Sequence, residues 1–425
     1  MRADWRSGGR AGGLLLAGVA LLLAGATRLE AQAIAITGGT VYPVSGPKIE
    51  NATVLIENGR ITAVGANVAV PAGARRVDAR GKWVTPGFIH SSTTLGLATV
   101  GSVSETNESR MEGDVDAAFN VAEGINPATV NIPVARIEGV TTALTRPGGG
   151  LIAGQAVLVD LAGDRIEDML VKSPAAMVID FSARSKSAGG GSRAGALQRL
   201  RQLFLDAREY DRRKGDFQKA QMQELSASAA DLEALLPVLR GAVPVYGIAD
   251  QRSDIESALR IMREFKLRLV LWGGREAWQI GPELAAAGVP VITYPLENIP
   301  DFNGLGARSD NATLLRQAGV TVLLAEGESG GPRDLRFAAG HAIRNGLSWD
   351  DALLAVTLAP ARAFGIADRY GSLEPGKVAD VVLWSGDPFE FSSKPDLVLI
   401  RGNEIPLRSR QTELLERYRA LPPEY

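Results

Sequence analysis

The chain has 425 residues, 45% of them hydrophobic and 22% charged, with 46 Lys and Arg against 48 Asp and Glu. This is the composition of a folded globular protein, and a formal net charge of −2 gives no electrostatic basis for nucleic acid as a partner. With no cysteine and only two histidines, His90 and His341, the chain excludes disulfides, thiolate catalysis, Cys-zinc sites and any mechanism built on a histidine cluster.

The first residues read as a secretory signal. Arg2, Arg6 and Arg10 precede an uncharged stretch over residues 11–27, and small residues follow at Ala31 and Ala33. Seventeen residues rich in Gly and Ala are short for a membrane span. A cleaved signal over residues 1–31 is therefore expected, with a periplasmic or secreted product that is free of the membrane after cleavage.

Next, residues 53–57 and 60–64 are β segments flanking Asn58-Gly59, a dipeptide suited to a type I′ hairpin turn. From residue 243 the pattern changes to strand–helix alternation. Apolar strands are expected over 243–249, 267–272, 289–294 and 321–325, and helices over 253–265, 276–287, 333–345 and 349–358, with another starting at Asp310. Such alternation implies parallel strands covered by helices. About eight units fit between residues 84 and 360, the length a TIM (β/α)8 barrel requires. Residues 182–192 (SARSKSAGGGS) read as a flexible loop. The stretch 193–220 carries eight basic and four acidic groups and reads as a solvated helix. β character returns over 378–384 and 397–401.

Residues 81–89 (GKWVTPGFI), 357–365 (TLAPARAFG), Gly371 to Lys377 and Ala379-Asp380 resemble the barrel entry and exit of the amidohydrolase superfamily. Gly139 to Thr142 with Pro147, Gly154-Gln155 and Ala249-Asp250 through Asp254-Ile255 add to a resemblance to its imidazolonepropionase-like branch. It implies a barrel with a small β-sandwich domain built from both chain ends. The corresponding division is a signal over 1–31, β-sandwich over 32–82, barrel over 83–360, and β-sandwich plus a tail helix over 361–425. The implied chemistry is hydrolysis of non-peptide C–N bonds, with a divalent metal that activates water and a carboxylate that moves the proton.

The metal ligands that the resemblance implies are missing. The family's Asp-x-His-x-His corresponds to residues 90–94, placing Ser92 and Thr94 where two imidazoles belong. Asp180 is the carboxylate closest to the mid-barrel ligand position. Ile248 takes the fifth-strand histidine position, Gly273 the sixth, and Gly327 the final aspartate. Hydroxyls are weak zinc ligands. Asp180, Asp250, Glu326 and Glu328 could instead converge on a hard cation through oxygen, or simply be solvated or paired with arginine. Glu326 and Glu328, two apart in an extended segment, would share one face, which makes a glycosidase-type carboxylate pair possible there. His90 falls on the pocket side and reads as a hydrogen-bonded structural residue, and His341 as structural within a helix. The run Gly148-Gly149-Gly150 lacks the Lys-Ser/Thr ending of a phosphate loop and reads as a shaped βα loop.

The candidate pocket residues are thus His90, Ser92, Thr94, Asp180, Asp250, Glu326 and Glu328, with no bound metal or other cofactor expected. The expected role is an exported, catalytically degenerate family member, forming an oligomer or pairing with a metal-competent paralogous subunit. An active hydrolase with a carboxylate metal site and a periplasmic small-molecule binding protein are the alternatives. Tyr246, Trp272 and Tyr294 would supply aromatic contacts if they face inward.

Overall fold

A computed structural model describes residues 32–99, 103–219, 223–327, 331 and 333–419. The signal segment lies outside these. No helix among the described residues is long and apolar enough to cross a membrane.

The chain first builds β1 (Ile34–Val41), β2 (Ile49–Glu57), β3 (Arg60–Gly65), β4 (Arg75–Asp78) and β5 (Trp83–Pro86). Asn58 and Gly59 take φ of 50° and 75° between antiparallel β2 and β3, the left-handed backbone that Gly, lacking a Cβ, and Asn adopt most readily. β1 pairs antiparallel with β2, with register shifts around Gly39, and in parallel with β4 over its first half and β5 over its second. From the far end of the chain, β14 (Val381–Trp384), β15 (Pro395–Ile400) and β16 (Asn403–Glu404) join through β5. The hydrogen bonds make one sheet running through β1, and its two halves share an apolar core. Ile36, Val54 and Ile61 from one half meet Val381, Leu383 and Leu399 from the other.

Between these ends lies an eight-stranded barrel sheet. Its strands are β6 (Phe88–Thr93), β7 (Val140–Thr145), β8 (Ile152–Asp160), β9 (Leu170–Asp180), β10 (Val245–Ala249), β11 (Leu269–Gly273), β12 (Val291–Thr293) and β13 (Val322–Leu324), paired in chain order. The pairing is parallel except at β8, which runs antiparallel to both neighbours. Only residues 146–151 join β7 to β8, and a parallel crossover needs a dozen or more. One of the eight expected βα units is therefore a hairpin, and the Gly148-Gly149-Gly150 run is its ββ loop rather than a βα loop.

Alternation along the strands separates two packed layers. Val178, Tyr246, Ile248, Val270, Trp272, Ile292 and Tyr294 fill the barrel interior. Their neighbours Met177, Ile179, Val245 and Leu271 face outward against helices such as Arg193–Arg212 and Arg252–Phe265. The basic groups around the first of these helices are paired, Arg199 with Asp114, Arg201 with Glu264 and Lys214 with Glu233. The segment 182–192 is not a loose loop: Ala183–Gly189 forms a 3₁₀ helix, capped by the Ser182 side chain and closed by Gly190 in the left-handed region. Short-range polar caps order a stretch whose composition alone suggests disorder.

Candidate functional site

The C-terminal ends of the parallel barrel strands open into a cavity of about 610 Å³. Active sites of such barrels occupy this end, because the loops leaving the strands converge there. Ser92, Thr94, Asp180 and Glu326 all line it. His90 lies beneath the lining, wholly buried. Asp250 lines a neighbouring cavity of about 410 Å³, and Glu328 falls outside the described residues.

His90 is held from both ring nitrogens. Its Nδ1 accepts the Ser92 backbone N–H at 3.2 Å, so the neutral ring carries its proton on Nε2 and donates to the Glu326 carboxylate. That contact ties β6 to the segment after β13, the two ends of the strand order. Asp180 accepts the Ser182 backbone N–H at 2.7 Å, and Arg184 Nε lies 3.3 Å from its other oxygen. Asp250 accepts the Tyr294 hydroxyl at 2.7 Å. Burial, and then the Asp250 charge, push the Tyr294 phenol well above its ordinary pKa, so it remains a donor.

A residue that motif reading passed over sits among these. Arg146 directly follows β7 and donates from Nε to Ser92 Oγ at 2.9 Å. Its guanidinium lies 4.8 Å from the Trp272 ring centroid and 5.6 Å from that of Tyr246. The side chain thus spans the barrel mouth, from β6 and β7 to the inward-facing aromatics of β10 and β11. Such stacking fixes a planar cation. Arg184 also lies over Trp272, at 5.8 Å, and Arg110 completes the basic lining. The signal available in the sequence was position: a charged residue just past the C-terminal end of a barrel strand stands at the mouth.

The residues present do not fit a divalent metal. The Ser92 hydroxyl, where an imidazole is implied, already accepts from a guanidinium. Ile248 offers an apolar side chain to the cavity. On β11 the lining side chain is Trp272 rather than Gly273, and neither is a ligand. Asp180, Asp250 and Glu326 are each bonded to a different protein group instead of converging on one point. Among the described residues no group of three His, Asp or Glu side chains comes together to hold an ion.

Comparison with known proteins agrees with the architecture. The model of the amidohydrolase family matches residues 308–405. An amidohydrolase structure from Thermotoga maritima superposes with a TM-score of 0.81 at 30% identity, covering 88% of this chain and all of that one. The imidazolonepropionase of Symbiobacterium thermophilum is 28% identical over 86% of this chain and 91% of its own length. Amidohydrolase tasK of Hapsidospora irregularis is 24% identical over 82% of this chain, which spans only 39% of that longer protein. Fold, cavity position and these likenesses agree: the chain belongs to the amidohydrolase superfamily.

Proposed function

We propose that this chain is an exported, metal-free member of the superfamily that does not hydrolyse C–N bonds by the metal-dependent route its relatives' chemistry requires. The observation that carries the reading is the Arg146–Ser92 hydrogen bond at the barrel mouth. It places a permanent positive charge beside the position where two imidazoles would hold a dication. A single and a double positive charge about 4 Å apart repel by on the order of 8 kcal/mol at an effective dielectric constant of about 20. The lining supplies no ligand set to offset that cost.

Metal analysis of protein purified without chelator tests this reading. The expected content is well below one transition-metal or magnesium ion per chain, and added zinc leaves the melting temperature unchanged, since an ion bound to the native state would raise it. One tightly held ion per chain would overturn the reading and direct mutagenesis to Glu326 and Glu328. Assembly with a metal-competent relative belongs to the same proposal, and co-purification from the native source tests it: a chain always recovered alone would remove that part.

A further inference from the structure

We propose that the barrel mouth is a binding site for a small monoanionic carboxylate, anchored by the guanidinium of Arg146. This rests on the metal-free reading above and names the ligand class of the same cavity. Arg146 has no carboxylate partner among the described residues. Its Nε is committed to Ser92 Oγ, and Nη1 makes a long 3.3 Å contact with the Pro147 carbonyl. Nη2 has no hydrogen-bond partner in the described protein. Stacking on Trp272 and Tyr246 holds the plane of the fork in place before any ligand arrives. A preorganised planar fork matches the two oxygens of a carboxylate.

A second observation lies on the adjoining wall. Gly149 and Gly150 line the same cavity at φ of 94° and 65°, and their backbone N–H groups donate to no acceptor among the described residues. Successive amides in such a turn form an anion-binding concavity. Charge balance then selects the kind of anion. Asp180 is bonded to Arg184 and Glu326 to His90, whereas the Arg146 guanidinium meets no carboxylate among the described lining residues. A single negative charge is complementary, whereas two buried-edge carboxylates oppose a doubly charged phosphate. Ile248 and Trp272 offer an apolar wall for the body of the molecule, and about 610 Å³ accommodates a small ligand.

Calorimetric titration of the full mature chain at low ionic strength tests the proposal with three probes: benzoate, its neutral counterpart benzamide, and inorganic phosphate. Benzoate is expected to bind at least about tenfold more tightly than either of the others, the loss typical of a missing charged hydrogen bond. Arg146→Gln should weaken benzoate by about tenfold or more, and Arg146→Lys, which keeps the charge and loses the fork, by less. Equal binding of benzoate and benzamide, undiminished binding by a folded Arg146→Gln variant, or no benzoate binding would overturn the proposal. Phosphate binding tighter than benzoate would overturn the monoanion assignment. If Arg146→Gln does not fold, the probe comparison on the unmodified chain and the Arg146→Lys variant decide. Metal analysis of the same sample separates the two readings. A metal-free chain indifferent to benzoate overturns only this proposal, and a chain carrying one ion overturns the metal-free reading itself.

Discussion

His90 and Glu326 make a buried pair whose members differ in what their loss exposes. His90 is wholly buried and Glu326 is 5% exposed. His90→Ala would leave a nearly buried carboxylate without its donor and a cavity beside it, and is expected to destabilise the chain by about 3 kcal/mol. Glu326→Gln keeps an acceptor for His90 Nε2 and should cost about 1 kcal/mol or less. Urea unfolding of the two variants checks the ordering, and equal losses would argue against a specific His–carboxylate bond. The sequence placed His90 on the pocket side. In the structure its ring is buried against Glu326 beneath the cavity that Ser92, Thr93 and Thr94 line, and the β6–β7 register is irregular between His90 and Thr93. Arg146 was legible only as a charged residue just past β7. Its role depends on reaching Tyr246 and Trp272, which lie about a hundred residues or more further along the chain.

At the scale of elements, the β7–β8 hairpin positions both Arg146 and the glycine run. Gly150 has φ of 65°, and a Cβ there would stand 2.8 Å from the Gly113 carbonyl oxygen and 2.9 Å from that of Asp114. Gly150→Ala would therefore combine left-handed strain with a backbone clash, and is expected to cost about 2 kcal/mol. Gly148 has no atom within 4 Å of such a Cβ and no positive φ, so Gly148→Ala is the control that should melt like the parent. Thermal melts of the two compare directly. The strands and helices over 243–358 were legible because each buries a face with its own period, and their bounds fall within a few residues of those expected. The reversed direction of β8 was not. It follows from the six-residue connection, whose meaning appears only once both flanking segments are known to be strands.

At the scale of the whole molecule, the small β domain docks at the N-terminal end of the barrel through a buried acidic joint. Asp160 ends β8 and Asp380 precedes β14. Thr142 Oγ1 lies 3.1 Å from one carboxylate and 3.3 Å from the other, and Tyr370 donates to Asp160 at 3.0 Å. The Arg401 backbone N–H donates to Asp380 at 2.8 Å. Burial, and then the Asp380 charge, raise the Asp160 carboxyl to about 8, and burial raises Asp380 to about 6. Because the folded state binds these protons more tightly than the unfolded chain, near pKa 3.9, the joint's contribution is complete below about pH 4. It is lost progressively as pH rises to about 8. Asp160→Asn removes that titration, so the melting temperature of the variant relative to the parent should rise between pH 5 and pH 8. A difference independent of pH would show that Asp160 is ionised throughout.

Superfamily membership, the alternating barrel pattern and the shortage of metal ligands are determined by the sequence itself, because motif order, hydrophobic period and histidine count survive any folding. What occupies the vacated ligand positions was decided only in three dimensions. Arg146 comes from one strand end, Ser92 from its neighbour and the stacking aromatics from the opposite wall, and closure of the barrel alone brings them within hydrogen-bonding and stacking distance. The same holds for the Asp160–Asp380 joint, whose partners are 220 residues apart and meet because the β domain packs against the barrel end where Asp160 and Thr142 lie.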